Sequence, residues 1–324
     1  MGGKALLAIG IQVERIHGRE TYEQLCNELV DLLSTFYVHV EPLPQVSWKK
    51  SFGDIDMLCS GEKIEFRPDL SVTKGHYTSF LYKTHQVDVI RLEEPYFQFA
   101  KMNLFSDMSA ILGSFLKEVC WCKYSHDGLY YCGDRSKQSD ICIHICLTQD
   151  IDTFFAFMGF TQPFRFTFTS YEEFFDFVLS SHFDIGGFLA SRYDFDENEL
   201  PRKSRNFKNG RECFTQFVKY VKSRQIHNTR EYRQISPLDV VHAFGKQQEY
   251  HDIIKRQEQN EMYKKKISGE RFKKITGLEG IQLGMFIKKF VEKYGREFIP
   301  RPIKWIDWKA KDFRETKRFI WYYG

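Results

Sequence analysis

The chain has 324 residues, 42% of them apolar and 28% charged, with a net charge of +4. That balance is typical of a globular protein and excludes a chain too polar to bury a core. No apolar run reaches the roughly 18 residues that suggest a membrane span, and "MGGKALLAIG" is too short and too poor in cleavage-site character for a secretory signal.

The start Met-Gly-Gly is not followed by the Ser or Thr expected for myristoylation. Eight irregularly spaced Cys, without an export signal, are expected to be reduced thiols in a cytoplasmic, cytosol-like compartment. The 31 Phe supply either an aromatic core or stacking surfaces. Residues 251–324 hold 19 Lys or Arg against 10 Asp or Glu, whereas residues 1–250 hold 28 against 33. A basic C-terminal part suits contact with a polyanion, and equally a solvated helix surface.

In chain order, "KALLAIG" is a short apolar run. "ETYEQLCNELVDLLSTF" places Tyr22, Leu25, Leu29, Leu32 and Leu33 at helical spacing. "YVHVEPLPQVSW" alternates like a strand and is broken by two prolines. "GDIDMLC" and "HQVDVIRL" read as two further strands, with "GEKIEFRPDL" between them as another strand or an excursion. From residue 100 the pattern becomes helical. "SDMSAILGSFLKEV" has an N-cap candidate at Ser106 and apolar positions at Met108, Ile111, Leu112, Phe115 and Leu116.

"HDGLYYC" predicts a small hairpin through its Asp-Gly turn. "SYEEFFDFVLSSHF" carries a capping box, Ser170 with Glu173. "LPRKSRNFKNGRE" reads as a loop, and "RECFTQFVKYVKSR" as an amphipathic helix. A long charged helix over roughly 246–266 then leads into a glycine-punctuated segment. No internal repeat is evident.

Asp54 and Asp56 are two apart in "SFGDIDMLCS", which reads as a strand entered through Gly53. Strand side chains alternate, so both carboxylates leave one face while the opposite face takes apolar residues. Adjacent carboxylates repel and lose hydration when buried. Holding a divalent cation resolves both costs. Mg²⁺ takes hard oxygen ligands, commonly one or two carboxylates plus substrate phosphates. Two such ions activate a hydroxyl and stabilise a leaving pyrophosphate. A third carboxylate is then needed on a neighbouring strand, and Asp88, alone among the apolar residues of "HQVDVIRL", meets that need. Solvated aspartates on an edge strand would explain Asp54 and Asp56 but not Asp88.

Gly53-Asp54-Ile55-Asp56-Met57-Leu58, with Asp88 on a later strand, resembles the signature of the DNA polymerase β-like nucleotidyltransferase superfamily. The resemblance implies a small mixed sheet, two Mg²⁺ (or Mn²⁺) ions and an NTP donor held by a glycine-containing turn. The only early Gly-Gly is Gly2-Gly3, followed by Lys4, about fifty residues before the acids and farther than the family pattern places it. Either that turn, with the helix at 20–36 inserted after it, or "KKSFG", with Lys49, Lys50, Ser51 and Gly53, is expected to hold the triphosphate. The set "MGGKAL", "GDIDML", "QVDVI", "FAKMNLFSDMSAILG" and "HDGLYY" also closely resembles uncharacterised nucleotidyltransferase-like proteins of large phages, giant viruses and some eukaryotes, a resemblance that implies a viral protein.

"ISGERFKKITGLEGIQLGMFIKKFVEKYG" is similar to the C-terminal segment of CCA-adding enzymes and bacterial poly(A) polymerases. Glycines admit close approach of phosphate, and helix N-termini attract anions. Lys273, Lys274, Lys288 and Lys289 are the expected RNA-phosphate contacts, against a helix turn that uses glycine only for packing.

The expected fold is therefore α+β. A mixed-sheet nucleotidyltransferase domain of the polymerase β-like palm type spans 1–105. A mainly helical middle domain with a small hairpin spans 106–245, and a basic helical region that contacts RNA spans 246–324. Asp54 and Asp56 would hold both metals. Asp88 would complete the one nearer the acceptor hydroxyl, an RNA 3′ end. A protein-modifying nucleotidyltransferase of the AMPylating kind, a DNA polymerase of the same superfamily and a non-catalytic nucleic-acid-binding protein are the rival classes. Cys120, Cys122, Cys132, Cys142 and Cys146 with His144 lack the paired knuckles of a zinc site and read as buried thiols. His126, Asp127, Tyr130, Tyr131 and Lys101 each fit either nucleotide contact or ordinary structure. The basic loop with Arg202, Lys203, Arg205, Lys208 and Arg211 fits an RNA grip or a solvated surface.

Overall fold

The structure, a computed structural model, describes residues 5–133, 144–192, 212–224, 235–294 and 303–321. It divides into two compact units, Met1–Lys246 and Gln247–Gly324. The first holds both the stretch expected as a catalytic domain and the stretch expected as a middle domain. It is mixed α and β, with a mixed sheet and many helices.

A short 3₁₀ turn at Leu7–Ile9 buries Leu6 but leaves Leu7 and Ile9 exposed. Strand β1 (Ile16–His17) precedes helix α1 (Arg19–Leu33), and β2 (Tyr37–Pro42) ends at the first of the two prolines. Then come β3 (Ser51–Phe52), β4 (Ile55–Glu62), β5 (Ser71–Lys74), β6 (Tyr77–Tyr82) and β7 (His85–Arg91). β1 and β3 pair alone, and the other five form one sheet in the order β2-β4-β7-β6-β5. β4 and β7 run parallel, and every other pairing in that sheet is antiparallel.

The β5–β6 hairpin does not appear among the expected strands. Its two-residue turn is Gly75-His76, with Gly75 at φ +61°, a Gly-X hairpin turn. The "GEKIEFRPDL" excursion carries the chain from β4 to this outer hairpin, so β7 can insert beside β4.

The sheet has two apolar faces. Ile55, Met57, Cys59, Val87, Val89 and Phe80 pack with Tyr22, Leu25, Cys26, Leu29 and Leu33 of α1. Leu32, expected in the same stripe, is 37% exposed, because the buried stripe follows 22, 25, 26, 29 and 33. Leu58 and Ile90 face the other way and pack with Phe97 and Ala100 of α2 (Phe97–Leu104).

Helix α3 (Met108–Val119) buries Met108, Ile111, Leu112, Phe115 and Leu116 as its spacing predicts. Its cap position is Asp107, not Ser106. Ser106 sits at φ +50°, and Asp107 makes no side-chain cap bond. β8 (Cys122–Ser125) and β9 (Gly128–Tyr131) form the predicted hairpin. β10 (Ile145–Thr148) adds a third strand, so the element is a small sheet.

Helices α4 (Ile151–Met158), α5 (Tyr171–Leu179), α6 (Ile185–Arg192), α7 (Glu212–Ser223) and α8 (Pro237–Ala243) follow among the described residues of the unit. Ser170 caps α5 by accepting from the Glu173 N–H. The Glu173 carboxylate instead accepts from the Thr169 N–H, one residue before the position a full capping box requires. Much of the Phe content is core here. Phe164, Phe166, Phe168 and Phe174 surround the Phe105 ring at centroid distances of 5.7 to 6.1 Å. The expected loop at 200–211, with its five basic residues, lies outside the described residues.

The second unit holds α9 (Gln247–Lys266), α10 (Gly269–Thr276), α11 (Gly280–Tyr294) and α12 (Ile303–Trp321). Phe272, Phe286, Phe290, Ile306, Ala310 and Phe313 form its core. Arg271 binds both Asp307 oxygens, at 2.7 and 2.8 Å, tying α10 to α12. Gly277 caps α10 in the left-handed region at φ +65°.

Leu33→Ala should destabilise the protein by about 2–5 kcal/mol, because it opens a cavity under the sheet. Leu32→Ala, one position along at a half-exposed site, should stay within about 1 kcal/mol of wild type. Denaturant midpoints of the two variants check this. Equal losses would refute the assignment of the buried stripe.

Candidate metal centre

The parallel register of β4 with β7 sets Asp56 directly opposite Asp88. Adjacent strands lie roughly 4.8 Å apart, which brings two in-register carboxylates on the same face within reach of one ion. Asp54 enters from the residue before β4. Ligand oxygens of Asp54, Asp56 and Asp88 all lie within 4.8 Å of one another, and all three side chains are partly buried. Among the described residues this is the group of His, Cys, Asp or Glu side chains that could hold a metal ion. The acids share a sheet face with Leu58 and Ile90. α2 covers those two apolar residues, while Asp56 and Asp88 lie two positions earlier on their strands.

The three carboxylates repel one another, and the nearby Lys49 offsets that only in part. Burial, with repulsion from Asp54 and Asp88, holds the Asp56 carboxyl well above the usual range, and Lys49 opposes the shift. Burial and Asp54 raise Asp88 to about 6, against hydrogen bonds from Ser79 and Gln86 that lower it. Hard oxygen donors this close, each disfavoured as an anion by the others, fit Mg²⁺ or Mn²⁺. An ordinary solvated aspartate pair would not be shifted this way.

Of the residues expected to bind triphosphate, Lys49 lies in the field of the acids. Burial lowers its pKa, and Asp54 and Asp56 act in the opposite sense. Its Nζ donates to Gln45 Oε1 at 2.7 Å and stands 5.0 Å over the Phe52 ring. Ser51 Oγ accepts from Arg15 Nε at 2.9 Å, and Arg15 contributes to the field at Lys49. Gly53 is buried at the entry to β4, whereas the Lys50 side chain is exposed and its backbone carbonyl accepts from the Gly18 N–H. Gly2, Gly3 and Lys4 lie outside the described residues.

Three contributors were not legible beforehand. Arg15 is brought in by the β1–β3 pairing. Gln86, 2% exposed, donates from Nε2 to Asp88 Oδ1 at 2.8 Å and accepts from the Leu6 N–H at 3.3 Å. The period-2 rule that aligns Asp54 with Asp56 also aligns Gln86 with Asp88, and that was the available clue. Tyr77 is pushed up to about 12, chiefly by burial and then by Asp56 and Asp88. Its hydroxyl lies 3.5 Å from His126 Nδ1, which links the β8–β9 turn to the sheet.

That turn is firmly held. A side chain at Gly128 would meet the Thr148 carbonyl at 2.7 Å, and Asp127 accepts from the Tyr130 hydroxyl at 2.9 Å. Tyr131 is core rather than a stacking platform. Lys101 is paired with Glu41.

Elsewhere, Cys120, Cys122 and Cys132 are buried, burial raises Cys120 to about 12, and Cys142 lies outside the described residues. Cys132 Sγ and His144 Nε2 are 3.8 Å apart. Lys273 and Lys274 form ion pairs with Glu279 at 2.7 Å and Glu270 at 3.0 Å, while Lys288 and Lys289 are exposed on α11. No helix among the described residues is long and apolar enough to cross a membrane. No family model matches the chain, and no curated protein compared with it matches.

Two outcomes follow from this geometry. In metal-free protein, folded Asp88 keeps its proton up to about pH 6, whereas an unfolded Asp loses it near pH ~3.9. The folded chain then binds more protons, so this group's stabilisation is full below about pH 4 and is lost as pH rises through about 6. Melting temperature against pH should show that decline in wild type and less of it in Asp88→Asn. Gln86→Leu should weaken Mn²⁺ binding roughly 10–100-fold by releasing Asp88. Electron paramagnetic titration of free Mn²⁺ reads this directly, and unchanged affinity would remove Gln86 from the site.

Proposed function

We propose that the protein is a metal-dependent nucleotidyltransferase that moves a nucleoside monophosphate from an NTP to an acceptor hydroxyl, an RNA 3′ end, and releases pyrophosphate. The observation that carries this reading is the closure of Asp54, Asp56 and Asp88 to within 4.8 Å of one another, across two parallel strands. On this reading the mixed sheet is a palm of the polymerase β-like kind. Bound Mg²⁺ or Mn²⁺ would supply charge neutralisation at the phosphates and lower the pKa of the attacking hydroxyl.

The chain's own residues do the remainder. Asp54 and Asp56 would hold the cations. Lys49 and Arg15 offset the triphosphate's charge from the side where Ser51 lies. The acceptor oxygen attacks the α-phosphorus and its bond to the β-phosphate oxygen breaks. Pyrophosphate leaves with that electron pair, and Asp88 takes the hydroxyl proton. Rate enhancement then comes from positioning and electrostatic stabilisation.

A nucleic acid acceptor is favoured over a protein one by the basic C-terminal residues, 19 Lys or Arg against 10 Asp or Glu over 251–324. A modifier of proteins would share the carboxylates without needing that excess.

Asp54→Ala and Asp56→Ala should each abolish label transfer from α-³²P-NTPs to pooled RNA in Mg²⁺ or Mn²⁺. Neither should lower the melting temperature of the metal-free protein, because each relieves like-charge repulsion. Mg²⁺ with NTP should raise the melting temperature of wild type but not of the double variant. Full transfer by either single variant would refute the assignment.

A further inference from the structure

The second unit carries an aromatic and cationic surface that the carboxylate site does not use. Trp308 on α12 is 58% exposed, unusually open for so large an apolar ring. Lys309 Nζ stands 4.3 Å from the centroid of that ring, 5.8 Å from that of Tyr294 and 6.0 Å from that of Trp305. Lys293 Nζ lies 5.1 Å from the Tyr294 centroid and 5.2 Å from that of Phe313. The end of α11 and the middle of α12 therefore present one open ring, Trp308, beside two ammonium groups that lie over the half-buried Trp305 and Tyr294 packed against the core.

Charge is concentrated on the same two helices. α11 and α12 together hold nine Lys or Arg against four Asp or Glu. One of those acids, Asp307, is engaged by Arg271 on both oxygens. By contrast, Lys273 and Lys274 on α10 already have glutamate partners.

We propose that this face binds a single-stranded segment of nucleic acid, with a base stacked on Trp308 and flanking phosphates held by Lys309 and Lys293. The physics selects that occupant. A base has a π-face that stacks on an open indole whatever its identity, and the backbone supplies regularly spaced negative charge. An ammonium lodged over aromatic rings is held in place, so little ordering remains when a phosphate arrives. An acidic peptide would meet the charge but leave the indole without a stacking partner. A duplex would meet the charge with its bases hidden. The proposal deepens the acceptor reading above, yet it concerns a surface that holds none of the three metal-site acids, so the two can fail separately.

The test uses the full chain and fluorescein-labelled 12-mers followed by anisotropy. Oligo-U should bind wild type, and Trp308→Ala should weaken it about tenfold, while Trp308→Phe retains most of the affinity. A strand with abasic sites should bind wild type about as weakly as oligo-U binds Trp308→Ala, and should be indifferent to that substitution. Lys309→Gln should flatten the salt dependence of log affinity by roughly 0.7. Mn²⁺ binding should be unchanged in all three variants, and the Asp54→Ala/Asp56→Ala protein should still bind oligo-U.

Equal affinity of wild type and Trp308→Ala for oligo-U would overturn the proposal. So would equal binding of oligo-U and the abasic strand by wild type, or equally effective competition by poly-glutamate or duplex RNA. The abasic comparison needs only wild-type protein, so it decides the matter even if Trp308→Ala fails to fold. Absence of Mn²⁺ binding by wild type, with oligo-U binding intact, would instead count against the carboxylate site alone.

Discussion

Asp56 opposite Asp88, in a parallel pair at the centre of a five-stranded sheet, is the constraint on which the first unit depends. Interstrand spacing fixes the distance between their Cα atoms, so the two side chains start from neighbouring points on one face of the sheet. The apolar residues around them make that pairing strong. Ile55, Met57, Val87 and Val89 anchor one face on α1, and Leu58 and Ile90 anchor the other under α2. The sheet is thus most rigid where its charge is least favourable. Such local cost inside a well-packed frame is what a functional site commonly shows.

The supporting elements act on the same point from several directions. Gln86 links Asp88 to the backbone at Leu6, so the start of the described chain and the third carboxylate share one buried amide. The segment with Lys49 is packed from outside the sheet: Ser47 donates to the Phe168 carbonyl at 2.8 Å, and Trp48 meets Tyr171 edge to face at 4.9 Å. The helical layer with its phenylalanine network therefore positions the lysine beside the acids. That is a physical reason for the sheet and the helices to belong to one compact unit.

The parts legible in the sequence were those written in short-range periodicity. Asp54 and Asp56 on one face, the buried stripe of α3 and the β8–β9 hairpin all follow from spacings of two to four residues. What the sequence hid was pairing at long range. Nothing local states that 55–59 will lie in parallel register with 87–91, or that Arg15 will reach Ser51 across β1 and β3. The β5–β6 hairpin escaped because its turn, Gly75-His76, lacks the Asn-Gly or Asp-Gly pair that marks the strongest hairpin signals. Leu32 and Ser106 show the other limit. Both have the right residue type one position from where geometry uses it, and a one-residue error moves a helical side chain by about 100° around its axis.

Lys49 has a chemical consequence of its own. Its amine is disfavoured as an ammonium by burial, although two carboxylates draw it the other way. At a given pH it therefore presents more free base than a fully solvated lysine, and free amine is the form that attacks electrophiles. The same burial that makes Lys49 a costly cation makes it more readily the neutral amine.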